Sequence, residues 1–407
     1  MSLREGYKQT EIGVIPEEWD ISALKDFANL NMGQSPDSSY VNEEVQGMPF
    51  AQGNSDFRKK YFVHTKKFCT EPKKKAKSGD ILFSVRAPVG DINIATFDLC
   101  IGRGLAAINA KNNQQEYLYQ LLMSLSQKLN SSAQGSTFTA INKSDLENIK
   151  IPIPPLPEQQ KIAEILSTVD QKMDSIDSKI EETQTLKRGL MQRLLSEGIG
   201  HSEFKESEIG RIPAGWEVLQ LEQISKITDS LHITPEFTEE GFAMVRVADI
   251  KTGMLNLSGT LKVSEETYTM FTKSYRPKKG NIVLSRVGSY GVSSFVSTDE
   301  PFCMGQNTVV IEPKIDNRFL YLFLNSTNIK KQIEDGSYGS GYKSLSLKHI
   351  KQLKVAVPSK EEQKQIAEIL SITDEKLESL RAKKEAFETL KKGLMQKLLS
   401  GEVRVKE

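Results

Sequence analysis

The sequence predicts an α+β protein: two globular domains separated by two long helices, the helices pairing as an antiparallel coiled coil within an internal pseudo-two-fold repeat. Three observations predict this. The stretch EQQKIAEIL beginning at Glu158 returns as EQKQIAEIL at Glu362, an offset of 204 residues. At the same offset LKRGLMQRLLS (Leu186 to Ser196) returns as LKKGLMQKLLS (Leu390 to Ser400), both differences being Arg for Lys. Between these segments the chain mixes short β-rich runs with a helical one, and there the echo is faint. A period of 204 residues is too long for a solenoid repeat, so it marks two copies of a domain followed by a helix.

The elements follow in order. The first domain is expected over residues 1–155. Its runs GDILFSV from Gly79, LAAINA from Leu105 and IKIPIP from Ile149 are bounded by Gly, Pro and Asn, while QEYLYQLLMSLSQKL from Gln115 has helical spacing. The first long helix is expected over 156–198. Its apolar residues fall at Ile162, Ile165, Val169, Met173, Ile176, Ile180, Leu186, Leu190 and Leu194, steps close to the coiled-coil period. Two successive steps of four, Ile165–Val169–Met173, form a stutter. Pro157 suits the first turn and Gly198 marks the end.

The second domain is expected over 199–358. EIGRIPAGWE from Glu208 resembles EIGVIPEEWD from Glu11 and aligns Trp216 with Trp19; both tryptophans read as core anchors. NIVLSRV from Asn281 and TVVIEP from Thr308 supply strands, and NRFLYLFLNSTNIKKQI from Asn317 a helix. The second long helix is expected over 359–407, with its seam at Ile366, Ile369, Thr373, Leu377, Leu380, Lys384, Phe387, Leu390, Leu394 and Leu398. Ser359 with Glu362 has capping-box spacing, and Gly401 marks the end. About 40 residues at 1.5 Å each span roughly 60 Å. Neither helix can hide its seam alone, so the two are expected to pack on each other.

Composition narrows the class. With 38% hydrophobic and 26% charged residues the chain reads as globular with long exposed helices. It has no long uninterrupted apolar run of membrane-spanning length, and MSLREGYKQTEIG lacks the apolar core of a secretory signal. Cys69, Cys100 and Cys303 are scattered and odd in number, which implies a reduced, cytoplasmic protein without a zinc site. The four His show no metal-ligand spacing. A formal net charge of +1 argues against strong DNA binding by the chain alone, because phosphate neutralisation dominates such affinity. It leaves room for binding in an assembly whose other subunits supply charge.

The helices repeat closely while the domains repeat only in scaffold. Matched surfaces suit one partner bound twice, and diverged surfaces suit two different ligands or two halves of an asymmetric one. That is the layout of a device reading a two-part target at a fixed spacing. Two globular domains, two repeated helices and the segments IPIPPLPEQQKIAEILS, GDILFSVRAPVG and LKRGLMQRLLS together resemble the specificity subunit of a type I restriction–modification enzyme, over essentially the whole chain. The resemblance implies target-recognition domains that each read half of a split site on double-stranded DNA. It implies helices that set the gap, two docked methyltransferase (M) subunits that flip and methylate adenines, and restriction (R) subunits joining them. It implies no membrane, no cofactor and no catalytic residue of the chain's own.

The motifs agree with a non-catalytic chain. There is no G-x-x-x-x-G-K-[ST] loop and no Asn/Asp-Pro-Pro-aromatic motif. Pro36-Asp37 with Glu71-Pro72-Lys73 matches a PD…E-x-K nuclease pattern by spacing alone, and a proline there is a poor strand residue.

Base edges are read chiefly by Arg or Lys at guanine and Asn or Gln at adenine, and phosphates by Lys, Arg, Ser, Thr and backbone N–H groups. In the first domain the candidates are Gln52, Asn54, Arg58, Lys59, Arg86 and Arg103, with Gln134, Ser136 and Thr137 of AQGSTF. In the second they are Arg246, Arg286, Ser289, Gln306 and Asn307, with Tyr338, Ser340 and Lys343 of SYGSGYKS. Lys73, Lys74, Lys75 and Lys77 could meet phosphate or simply be solvated. Gly189 and Gly393, each inside strong helical pattern, suggest either a close helix crossing or a docking patch for a partner. The rival to DNA recognition is a coiled-coil scaffold that binds only proteins.

Overall fold

The computed structural model describes residues 4–112, 114–132, 140–335 and 344–405, excepting the side chains of 127–132. The chain divides into two compact units, Met1–Asp177 with Ala382–Glu407, and Ser178–Arg381. Each unit holds one domain and parts of both long helices, so the units cut across the helices rather than ending at them.

In the first unit the hairpin Tyr7–Thr10 and Gly13–Pro16 opens the chain. The ribbon of Asp20–Ala23 with Lys150–Ile153 brings the two ends of the domain together. Between them lie two sheets. One has the order Ala28–Met32, Leu105–Ala110, Ile81–Ser84, Ile92–Ala95, Tyr61–Phe62, and the other Val41–Asn42, Phe68–Cys69, Met48–Ala51, Leu99–Ile101, Lys75–Ala76. Side chains alternate across a strand, and here both faces are covered. Ile81 and Phe83 join the core with Tyr117 and Leu118 of the helix Gln115–Ser132. Leu82 joins Phe62, Leu99 and Leu105 on the other face. Burial on both faces explains the unbroken apolar run in GDILFSV.

The second unit repeats the plan. Its hairpin is Phe204–Ser207 with Gly210–Pro213, and its closing ribbon is Glu217–Gln220 with Lys354–Val357. Its main sheet runs Ser225–Asp229, Thr308–Pro313, Ile282–Ser285, Ser293–Phe295, Gly253–Met254. A three-stranded sheet, Leu261–Val263, Phe242–Val245, Phe302–Met304, covers the other face. Ile282 and Leu284 face the helical core while Val283 packs with Phe302 and Val310.

The first long helix is Leu156–Leu194 and the second Lys360–Leu399. In the first unit, Ile162, Ala163 and Leu166 of one helix meet Met395, Leu398 and Leu399 of the other around Trp19. In the second, Ile366, Ala367 and Leu370 share a core with Leu194, Leu195 and Trp216. The helices are antiparallel. Asp170 pairs with Lys391 and Asp177 with Lys384, so seven residues forward along one helix is seven back along the other. In the second unit Lys187 pairs with Asp374, the residues that the 204 offset equates with Lys391 and Asp170.

The seam departs from its expected positions. Leu186 and Leu390 are 56% and 48% exposed, and Ile369 is exposed as well. Each helix begins under a domain as well as against the other helix, so its buried stripe widens to Ile162–Ala163–Leu166 and Ile366–Ala367–Leu370 and turns away from Ile369. Among the described residues, no helix is long and apolar enough to cross a membrane.

The repeated Glu-Gln pair at each helix start closes its unit. Glu158 accepts from Trp19 Nε1 at 2.8 Å, Arg404 Nε at 2.8 Å and the Val405 N–H at 3.2 Å. Glu362 accepts from Trp216 Nε1 at 3.0 Å and the Ile199 N–H at 2.9 Å, and lies 2.9 Å from His201 Nε2. Gln159 and Gln363 each reach back to a proline carbonyl, Pro154 and Pro358. The chain is turned into each closure by a left-handed glycine, Gly401 (φ 74°) or Gly198 (φ 67°). Only half of the expected capping box forms. Ser359 Oγ accepts from the Glu362 N–H, while the Glu362 carboxylate is taken by Trp216 and its neighbours. Burial alone would raise the Glu158 carboxyl, but the hydrogen bonds from Arg404, Trp19 and Val405 outweigh it and hold the group below its ordinary value.

Candidate nucleic-acid interface

In the first domain four loops converge at one end of the sheets. The Gly33 N–H bonds to Leu105 O, the Gly102 N–H to Ala51 O, the Gly104 N–H to Gln52 O and the Val85 N–H to Gly104 O. The approach is close enough to require glycine. A Cβ on Gly33 would sit 2.2 Å from Gly102 O, and one on Gly104 would sit 2.7 Å from Gln52 O. The tip of this cluster is Gly102–Arg103–Gly104. Ser35 Oγ accepts the Arg103 N–H at 3.3 Å and bonds the Gln52 amide. The Arg103 side chain is exposed, as is that of Arg86, and neither has an intramolecular polar partner among the described residues.

The second domain builds the same junction. The Gly305 N–H bonds to Val245 O, the Arg286 N–H to Asn307 O and the Ser230 N–H to Thr308 O. These bonds equate Gln306 with Arg103, Arg246 with Gln52 and Arg286 with Val85. Asn307 takes φ 60°, a left-handed position that Asn tolerates better than most residues. The side chains here are tied. Arg286 Nη1 bonds both Asp229 oxygens, at 2.8 and 2.7 Å, and its Nε bonds Leu345 O. Arg246 Nε bonds Asp249, and Gln306 Nε2 donates to Thr234 Oγ1 at 3.1 Å.

A family model described as the type I restriction modification DNA specificity domain matches residues 16–185 and again 213–389. The chain belongs to this family. The type I restriction enzyme MjaVIII specificity subunit of Methanocaldococcus jannaschii is 29% identical over 416 residues, covering 99% of this chain and 97% of that protein. The putative MjaX specificity subunit of the same organism is 40% identical over 196 residues, 47% of this chain and 46% of that one. The crystal structure of the type I S subunit from M. genitalium shares the fold, with a TM-score of 0.59 at 19% identity over 98% of each chain. The chain is therefore a type I specificity subunit, a DNA-recognition component and not the catalyst.

The specificity subunit does not gather all the candidate residues. Gln52, Arg86 and Arg103 of the first domain and Arg246, Arg286, Gln306 and Asn307 of the second lie at the two junctions. Ser289 sits in the exposed turn after Ile282–Ser285. Asn54 is beside Gln52 but donates to Asp91. Arg58 folds onto its own loop at Ser55 O and Phe57 O, and Lys59 pairs with Asp177 on the first long helix. Gln134, Ser136, Thr137, Tyr338, Ser340 and Lys343 lie outside the described residues. The chain on the far side of these two segments re-enters at the junctions, where Arg86 bridges to Ala140 and Val287 to Ser344.

At Gly189 and Gly393 a Cβ would meet nothing within 4 Å. No close helix crossing among the described residues requires either glycine, which corrects that half of the expectation. In the nuclease-like spacing the Asp37 carboxylate caps the Ser39 N–H. Among the described residues no acidic, His and Cys cluster could hold a metal ion. Ser35, Asp229 and Thr234 orient their neighbours yet carry no motif that marks them in the sequence. The Glu158 and Glu362 closures leave one trace in the sequence, the repetition of Glu and Trp.

Proposed function

We propose that this specificity subunit reads an asymmetric, bipartite site on double-stranded DNA, one half-site per domain, with the gap set by the paired helices. Two adenine-methyltransferase subunits dock on it, and restriction subunits join through that assembly. The observation that carries the reading is the pair of junctions built on three matching backbone bonds yet tipped with different side chains, Arg103 and Gln306. One scaffold with two chemistries suits two unlike half-sites. Two domains meeting the same side of a duplex would place half-site centres about one helical turn, roughly 34 Å, apart. The helices offer the docking face twice, as exposed Leu186 beside Gly189 and exposed Leu390 beside Gly393. With a net charge of +1, tight binding is expected only from the assembled complex, and it should weaken steeply with salt.

Methylation mapping on genomic DNA with the chain and its methyltransferase tests this. The expected product is a two-part motif with unlike halves and a fixed gap. A contiguous or palindromic motif would overturn the bipartite reading, and methylation without sequence preference would favour the protein-only scaffold. Inserting about four residues, one helical turn, at matched points of both long helices should lengthen the gap and leave the halves unchanged. An unaltered gap would remove the ruler.

A further inference from the structure

We propose that the two junction tips are base readers of opposite kind: Arg103 reads a guanine in one half-site and Gln306 an adenine in the other. The assignment rests on the bipartite reading above and goes a step further, to the base each tip selects. Four features carry it. The tips are structurally equivalent, since each follows a glycine whose N–H is bonded to the last carbonyl of the neighbouring strand, Ala51 or Val245. The backbone under Arg103 is held. The turn at Arg103 is fixed by the N–H groups of Gly102, Arg103, Gly104 and Leu105 together, bonded to Ala51, Ser35, Gln52 and Gly102. A rigid backbone under a free side chain loses little order when a base is bound.

The third feature is which side chains remain available. In the second domain, Arg286 spends Nε and Nη1 on Leu345 and Asp229, and Arg246 is engaged by Asp249. Gln306 gives one amide hydrogen to Thr234, which leaves its other N–H and its Oε1. Those are the donor and acceptor that adenine N7 and N6 require side by side. In the first domain Gln52 is engaged by Ser35, while Arg103 keeps its whole guanidinium, the fork that matches guanine O6 and N7. Fourth, Arg86, the first domain's other arginine without a polar side-chain partner among the described residues, stands where the second domain has Val287, judged by the matching bonds of Ser84 Oγ to Arg86 O and Ser285 Oγ to Val287 O. A valine offers no hydrogen bond to a base edge, so this is not a position at which both domains can make a bidentate contact, and Arg86 is assigned to phosphate. Ser35 and Thr234 are positioning residues.

The test is methylation mapping with the assembled methyltransferase complex on a randomised DNA library, comparing wild type with Arg103→Gln, Gln306→Arg and Thr234→Val. Arg103→Gln should lower the preference for guanine at one position of one half-site, on the order of tenfold to hundredfold, with adenine gaining there. The other half-site should be untouched. Gln306→Arg should do the reverse in the other half. Thr234→Val should loosen the adenine preference at that same position without changing which base is preferred. A wild-type two-part motif accompanied by unchanged base preferences in both tip variants overturns the tip assignment and leaves the bipartite reading standing. A uniform loss of methylation with the motif preserved also overturns it, since that is the signature of phosphate contact. No motif from the wild-type complex overturns the bipartite reading and the assignment with it. The two tip variants lie in different domains, so a folding failure in one leaves the other to decide.

Discussion

Glu158 and Glu362 stand at equivalent places, each at the start of a long helix and each receiving a tryptophan indole N–H. What reaches them from the end of the other helix differs. In the first unit it is Arg404, a fixed charge, with two bonds to Glu158 and a third to Glu18. In the second it is His201 with the Ile199 N–H. The seating of the domains on the helices differs in the same sense. In the first unit Glu116 accepts from Lys60, Gln120 and Ser167, and Gln120 also donates to Asp170, which pairs with Lys391. In the second, the helix Asn317–Leu324 presents Leu322 where the first has Gln120, and the seat there is apolar apart from the Asp316 N–H donating to Gln363 Oε1. Duplication has kept the geometry of closure and let its chemistry drift, because a buried carboxylate needs its lone pairs filled and is indifferent to which donors fill them.

The largest effect should come from removing the charged closure. Glu158→Ala leaves the Trp19 indole N–H and Arg404 Nε without their acceptor and leaves Arg404 only its bond to the exposed Glu18, and breaking a buried pair from one side costs about 3 kcal/mol. Glu362→Ala strands donors with no fixed charge and should cost about 1–2 kcal/mol. The chain has two tryptophans, one at each closure, so urea unfolding followed by fluorescence in Trp216→Phe or Trp19→Phe backgrounds reads each unit separately. Equal losses would erase the contrast. Acid sharpens it. The folded-state value of Glu158 is depressed, so its stabilisation is present above the ordinary glutamate range and is lost as pH falls through and below it. Wild type should therefore lose stability at the Trp19 closure over that acid range, and Glu158→Gln should flatten the dependence.

A smaller difference is expected along the helices. Asp170 and Lys391 are 12% and 11% exposed, whereas Asp374 and Lys187 are 29% and 23%. Lys391→Asp should cost about 2 kcal/mol, with much of it recovered by adding Asp170→Lys, whereas Lys187→Asp should cost about 1 kcal/mol or less. Thermal melts of the singles and the swap form the double-mutant cycle. Failure of the swap to recover stability would show that Gln120, which also needs Asp170, matters more than the ion pair.

The helices and their duplication were legible because a helix advertises itself by spacing and a repeat by identity. The twin burial of GDILFSV was legible as an apolar run. Less legible was which apolar residue faces inward. Leu186 and Ile369 fit a seam of period 3.5, but a domain resting on each helix start widened and rotated the buried stripe. At the junctions the glycines and the polar tips could be read, since a Gly-Arg-Gly turn implies close approach. Their wiring could not. Asp229 neutralises Arg286 from 57 residues away, and Lys59 turns from the candidate interface to meet Asp177. Long-range pairing of charges leaves no local pattern, so arginines that look alike in sequence divide into free side chains and spent struts only when folded.

Gly189 and Gly393 sharpen the comparison most finely, because here the two copies agree. Each lies in a helix interior, where glycine costs about 1 kcal/mol relative to alanine, and at each a methyl group would meet open space. Nothing among the described residues repays that cost. Gly189→Ala and Gly393→Ala should therefore each raise stability, by up to about 1 kcal/mol in denaturant unfolding. The same methyl would stand between the helix and any partner backbone lying against exposed Leu186 or Leu390. Affinity for the methyltransferase subunit, measured by titration, should then fall as stability rises. A rise in stability with unchanged assembly would place the docking face elsewhere on the helices. A loss at one glycine alone would mean that the two seats, alike in sequence, are not alike in use.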